Sequence, residues 1–206
     1  MGEVKYAFPT WKEISQVVKL VAQKLKKARF RPDIIVAIAR GGIVPARLLC
    51  DHLYLKNLVA MKVDHWGITA TIDGKAKIAY GVNVDISGKK ILLVDDVTDT
   101  GQSMELAKDY LLSLRPRVVK TAALYHLTTS KYTPDFYGQE REWAWLIFPW
   151  NRWEDLVNVS RKVLNGKKEK TAVLLKGELE KELGIKISLR QTKEILEHLD
   201  FLDRVY

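Results

Sequence analysis

Between Ile91 and Met104 the chain reads ILLVDDVTDTGQSM, and the residue types there divide a chemical task among them. Asp95 and Asp96 are adjacent carboxylates, a third stands at Asp99, hydroxyls sit at Thr98, Thr100 and Ser103, and Gly101 lies between them. Carboxylates repel phosphate, but they suit vicinal hydroxyls or a hard cation that prefers oxygen ligands. Hydroxyls, together with the N–H groups at the start of a helix, hold an anion. Gly101 lets the backbone approach that anion closely. A ligand with phosphate at one end and a diol plus metal at the other is a sugar phosphate. An ordinary strand-to-helix turn with a capping Thr leaves the paired carboxylates unexplained.

Such residues need elements to aim them. Ile91–Val94 is an unbroken apolar run suited to a strand buried on both faces of a parallel sheet. Asp95 and Asp96 are expected where it surfaces, Val97–Gly101 as a loop, and Gln102 onward as a helix. A second unit repeats the logic. Ile34–Ile38 is a buried strand, Ala39-Arg40-Gly41-Gly42 a turn, and Ile43–Cys50 the start of a helix. Two glycines admit a polyanion, Arg40 supplies charge, and backbone amides supply donors.

VDDVTDTGQS resembles the ribose-phosphate motif of the type I phosphoribosyltransferases, which use 5-phosphoribosyl-1-diphosphate (PRPP) and Mg²⁺. IARGGIVPA is similar to the diphosphate loop of the purine members. The resemblance spans about residues 5–152. It implies that Asp95 and Asp96 hold the ribose hydroxyls and Mg²⁺. It further implies that Val97, Thr98, Asp99, Thr100, Gly101, Gln102 and Ser103 line PRPP, and that Arg40 and Gly41 touch the diphosphate. A cis peptide bond is expected at Ala39–Arg40. Asp99 would manage the proton at N7 of the base, as in the 6-oxopurine branch. Trp145-Leu146-Ile147-Phe148-Pro149-Trp150-Asn151 resembles that branch's base segment, so Trp145 would stack on the ring and the Leu146 backbone read its edge. Asn151 replaces the family's acidic residue near the metal, which puts a second Mg²⁺ in doubt. Trp143 and Trp150 read as core fillers.

One departure bears on the base. The 6-oxopurine branch has a Lys that donates to O6, and its position here is Leu127, with His126 beside it. Leucine offers no donor, and a buried polar atom without a partner costs about 1–3 kcal/mol. Adenine, with its 6-amino group, is therefore the favoured base on this residue. If His126 takes over the Lys role by a small shift of register, the base is hypoxanthine or guanine. Asp73-Gly74, flanked by β-prone residues, predicts a hairpin. In the family a hairpin here closes over PRPP, which would bring Lys75 and Lys77 to the diphosphate; a solvent-facing pair is the plainer alternative.

The remaining sequence sets limits. Thr10-Trp11-Lys12-Glu13 is a capping box before a helix to about Ala28, and further strands are expected at Leu58–Asp64 and Val118–Leu127, with a loop over 128–141. Strands alternating with helices predict an α/β fold, a doubly wound and mainly parallel sheet whose ligands bind beyond the strands' carboxyl ends. A length of 206 residues suits one domain with an appendage: a catalytic domain over 1–152 and three helices over 153–206. The single Cys50 excludes an internal disulfide and fits a reducing compartment. No run reaches a membrane span and MGEVKYAFPT has no apolar signal core, so a cytoplasmic enzyme without membrane partners is expected. Of the net charge of +9, residues from Trp153 onward carry only +1. That weak charge argues against the alternative of a DNA-binding helix-turn-helix around Gly184 and for a packing, lid or dimer role. Nucleic acid is not an expected partner, whereas PRPP, a purine base and a second copy of the chain are. The rival from another class is a PRPP-sensing regulator on the same fold; Asp99, Arg40 and the intact base segment favour the enzyme.

Overall fold

The structure, a computed structural model, describes residues 4–65 and 76–205. In chain order the elements are β1 (Tyr6–Ala7), α1 (Trp11–Lys27), β2 (Ile34–Ala39), α2 (Ile43–Leu53), β3 (Leu58–His65), β4 (Ala76–Tyr80), β5 (Lys90–Thr98) and α3 (Gln102–Ser113). They continue with β6 (Val118–Leu127), β7 (Phe136–Arg141), β8 (Trp145–Leu146), α4 (Arg152–Leu164), α5 (Ala172–Leu183) and α6 (Leu189–Val205). The expected Asp73-Gly74 turn and Lys75 lie outside the described residues. Contacts divide the chain into two units, Thr10–Trp143 and Met1–Pro9 with Ala144–Tyr206. The base segment thus groups with the C-terminal helices, whereas the sequence suggested a boundary after residue 152.

The unit Thr10–Trp143 is built on a sheet of order β4-β3-β2-β5-β6-β7, parallel throughout except for antiparallel β3 and β4. Five of the six β2 residues are buried, Ile34 to Ile38, because both faces of the sheet are covered. On one face α3 packs through Met104, Ala107 and Leu111 onto Val36, Ile38, Ile91 and Leu93. Helices α1 and α2 lie against β2, β5, β6 and β7. The capping box sets the start of α1: Glu13 N–H donates to Thr10 Oγ1 (3.2 Å) and Thr10 N–H to Glu13 Oε2 (2.7 Å). Cys50 is a buried free thiol in α2, as its apolar surroundings predict.

Two strands depart from expectation. β5 continues past the acidic pair to Thr98, because β6 is long enough to keep pairing, with Val97 opposite Tyr125 and Thr98 opposite His126. β7 occupies part of what reads as a loop. Its polar second half, GQER, hides a parallel edge strand that Gly138 allows α1 to cover: a Cβ there would collide with Val17 and the Leu124 carbonyl.

The second unit pairs β1 with β8 in parallel, Tyr6 opposite Trp145 and Ala7 opposite Leu146. Its core joins Leu156, Val159, Leu175, Leu179, Ile195 and Leu199 from α4, α5 and α6, the small bundle expected from three amphipathic patterns. Thr171 caps α5 through the Leu174 N–H (3.2 Å), and left-handed Gly184 (φ 66°) ends it. Among the described residues, no helix is long and apolar enough to cross a membrane.

The segment after β6 is pinned by Asp135. Its carboxylate accepts from Lys120 Nζ (2.6 Å), Thr121 N–H (2.9 Å) and Thr121 Oγ1 (3.0 Å). Burial pushes this carboxyl's pKa up, but the bonds from Lys120 and Thr121 outweigh it and hold the net value below the ordinary one. Stability from this group is therefore full above the ordinary carboxylate range and is lost as pH falls through the lowered folded value. Asp135→Ala should cost about 1–3 kcal/mol at neutral pH. In urea titrations at descending pH the gap from wild type should close in acid; a gap independent of pH would contradict this.

Candidate functional site

Chain order explains where the site forms. From β2 the sheet grows outward to β3 and β4, then returns to place β5 on the other side of β2. Such a reversal opens a crevice beyond the carboxyl ends of the two neighbouring strands. β2 and β5 run in parallel register from Ile34 opposite Ile91 to Ala37 opposite Val94. Both expected anion loops, 39–42 and 95–103, therefore leave the sheet side by side.

The approach is close enough to dictate residue type. A Cβ on Gly41 would overlap the Asp96 carboxylate, and one on Gly42 would overlap the Val94 and Ile38 carbonyls. The Ala39–Arg40 peptide bond is cis, as expected from the resemblance. Arg40 is exposed at the head of this turn, and its carbonyl accepts from Ile43 N–H (3.3 Å).

Asp95 and Asp96 lie in β5, just before its last two residues. Asp95 Oδ1 accepts from Asp96 N–H (2.9 Å), and Asp96 Oδ1 from Val97 N–H (2.8 Å). Burial first, then the neighbouring charge of Asp96, pushes the Asp95 carboxyl well above the usual range, against the bond from the Asp96 amide. Two like carboxylates in one place are relieved by a cation. Among the described residues no group of three or more His, Cys, Asp or Glu could cage a metal. An ion such as Mg²⁺, which takes one or two carboxylates and completes its shell from substrate oxygens and water, fits such a pair.

Beyond the acids the chain turns into α3. Gly101 caps it in the left-handed region (φ 85°), a conformation that favours glycine. Thr100 Oγ1 accepts from Gln102 N–H (3.4 Å), so hydroxyl and amides converge at the helix start. Gln102 is exposed, Ser103 and Val97 half-buried. Thr98 is different. Its side chain is buried, and its hydroxyl meets His126 Nδ1 at 3.0 Å, so it serves the core where a phosphate contact was expected; its backbone still enters the turn.

Asp99 is exposed in that turn. Partial desolvation pushes its carboxyl pKa up, and a bond from the Trp143 side chain works in the other direction. Trp143 is the residue that sequence reasoning missed, since an aromatic-rich segment far along the chain reads as packing. No local signal marks it; it is brought to Asp99 because β7 follows β6 in the sheet. At the end of β6, Leu127 is 2% and His126 6% exposed, with His126 tilted on Tyr137. Leu127 offers only an apolar wall, and its carbonyl accepts from Ser130 N–H (2.9 Å). Lys77 is exposed on β4, opposite Asp64.

In the other unit Trp145 is half-buried and donates its indole N–H to Asp155 Oδ1 (3.2 Å). The N–H groups of Trp145 and Ile147 bond β1, at Lys5 O and Ala7 O (both 2.8 Å). Strand alternation then directs the backbone polar groups of Leu146 to the opposite edge, as reading a base edge requires. Trp150 stacks on Phe148 (centroids 4.7 Å apart, 6° between planes), a packing role. Asn151 Oδ1 is buried with no protein partner among the described residues.

Comparison with known proteins agrees with this geometry. The family model for the phosphoribosyl transferase domain matches residues 10–159. A hypoxanthine-guanine phosphoribosyltransferase of Aquifex aeolicus is 30% identical over 134 residues, 62% of this chain and 75% of that protein. A xanthine-guanine phosphoribosyltransferase of Gluconobacter oxydans is 29% identical over 151 residues, 72% of this chain and 86% of that one. Among solved structures, a purine phosphoribosyltransferase of Pyrococcus horikoshii superposes with a TM-score of 0.63 at 28% identity, over 71% of this chain and 94% of that chain. Both relatives are named for 6-oxopurine bases, hypoxanthine or xanthine together with guanine. With the motif loops on one sheet edge, the chain belongs to the type I phosphoribosyltransferase family, in its purine-using branch.

Proposed function

We propose that this chain is a purine-salvage enzyme of the cytoplasm that moves the 5-phosphoribosyl group of PRPP to N9 of a 6-oxopurine, hypoxanthine or guanine, and releases diphosphate. The observation that carries the reading is the packing of Gly41 on the Asp96 carboxylate, which sets a diphosphate turn against a ribose-binding acid pair. In the reaction the bond from C1′ to the diphosphate oxygen breaks, its electrons leave with diphosphate, and N9 forms the new bond to C1′. Arg40 and the Gly41 amide take up charge on the departing group, as preset dipoles and charges do best. Asp95 and Asp96 hold the ribose hydroxyls while C1′ passes through an oxocarbenium-like state. Mg²⁺, held by the same two carboxylates when bound, neutralises diphosphate charge. Asp99 accepts the N7 proton, leaving N9 as the nucleophile. The 97–103 turn grips the 5′-phosphate. Trp145 supplies a stacking face and Leu146 a backbone edge for the base. Lys77, exposed on β4, supplies charge toward the diphosphate, and a homodimer is the proposed assembly.

A second reading rests on one residue. Leu127 is buried and apolar where a 6-oxopurine site needs a donor, and His126 spends Nδ1 on Thr98. Both favour adenine. Incubation with PRPP, Mg²⁺ and each base in turn separates the two: IMP or GMP formed well ahead of AMP supports the first, and AMP alone supports the second. In the second case Leu127→Lys should move turnover toward hypoxanthine. No nucleotide from any base removes the enzyme and leaves the regulator.

Asp99→Asn should lower kcat by about 10²–10⁴-fold with a much smaller change in PRPP affinity; equal losses in both would contradict its role. A bond to the charged carboxylate lowers its pKa, so Trp143→Phe should shift the acid limb of the pH–rate profile upward. An unmoved limb would show that Trp143 does not set the proton at Asp99.

A further inference from the structure

The segment after β6 meets the phosphate turn through several bonds that its sequence does not announce. Lys131 N–H donates to Thr100 O (3.2 Å). Ser130 Oγ donates to Tyr132 O (3.0 Å) and accepts from Tyr132 N–H (3.3 Å), which folds 130–132 into a tight knuckle. Gly101 lies on that knuckle so closely that a Cβ would overlap the Tyr132 Cβ and the Ser130 hydroxyl. From there the Tyr132 ring joins the core beneath α3. Its hydroxyl accepts from Lys108 Nζ (3.2 Å) on α3 and bonds Thr121 Oγ1 (3.2 Å) on β6, and the Lys108 ammonium stands 5.5 Å from the ring centroid.

These contacts place one side chain across the three parts that fix the phosphate turn: its own backbone at Thr100–Gly101, the helix it caps, and the central sheet. We propose that Tyr132 is a positioning residue for PRPP, holding the Gly101 cap and the first turn of α3 at the height that the 5′-phosphate needs. The phenol hydroxyl is the tie, since it bonds both the helix, at Lys108, and the strand, at Thr121. A terminal phosphoryl group bound at helix amides is sensitive to small shifts, because those donors are directional. Apart from Asp99, the proposed base contacts lie elsewhere on the chain, so the effect should fall mainly on PRPP. The inference rests on the reading that the 98–103 turn holds the phosphate of PRPP.

The test compares wild type, Tyr132→Phe, Lys108→Met and the double variant for the KM of PRPP, the KM of the preferred base and the thermal midpoint. Tyr132→Phe, which removes the bonds to both Lys108 and Thr121, should raise the KM of PRPP about threefold to tenfold, with the other two readouts close to wild type. Lys108→Met should do the same, and the double variant should be no worse than either alone, because both cut one tie. An unchanged PRPP KM in both single variants of an active enzyme overturns the inference and leaves the proposed function standing. A lowered midpoint with unmoved kinetics makes Tyr132 a packing residue and overturns it equally. A wild type that turns over no base with PRPP overturns the proposed function and this inference with it. Should Tyr132→Phe fold poorly, Lys108→Met carries the same comparison.

Discussion

The parallel pairing of β2 with β5 is the constraint on which the molecule's chemistry depends. Strands 34–39 and 90–98 are central, buried on both faces, and locked in register by apolar side chains that fit only one way. Slipping either strand would separate Gly41 from Asp96, and with them the 39–42 turn from the acid pair. Neither loop contains a complete site. The turn at 39–42 has charge and amides but no group for a diol, and the 95–103 segment has acids and a helix start but no cation. Only adjacency in the sheet turns two weak anion sites into one site for a ligand charged at both ends.

Much of this was legible in the sequence because the chemistry is local. Strand, acids, glycine and helix start follow one another without interruption, so their order is their geometry. The capping box at Thr10 and the left-handed Gly184 were readable for the same reason. What was not legible depends on partners distant in sequence. β5 runs to Thr98 because β6 pairs with it that far, and nothing within VDDVT announces that. β7 exists because an edge strand needs one covered face and one neighbour, which polar composition conceals. Thr98 was expected at phosphate and turns to His126 instead, since a strand residue's facing is set by its pairing. Trp143 joined Asp99 across more than forty positions of chain, and an aromatic gives no hint of which carboxylate its N–H will meet.

The choice of base shows the two kinds of information pulling apart. The named relatives are 6-oxopurine enzymes, and the motif that holds Asp99 resembles that branch. Leu127 offers no donor, and its burial leaves an apolar wall. A scaffold preserves the loops that hold PRPP, which every branch needs, while one side chain at a strand end is enough to alter which ring edge is accepted. The 97–103 turn is braced from several sides. Its floor at 130–132, its glycine cap and its acids are tied to the sheet at several points, as binding a remote handle for catalysis requires.

The most direct measurement is a crystal structure of the protein soaked with a purine nucleoside 5′-monophosphate. The account predicts the phosphate on the amides of residues 98–103 and the hydroxyls of Thr100 and Ser103, with the ribose hydroxyls toward Asp95 and Asp96. A phosphate bound elsewhere, with that turn empty, would contradict it.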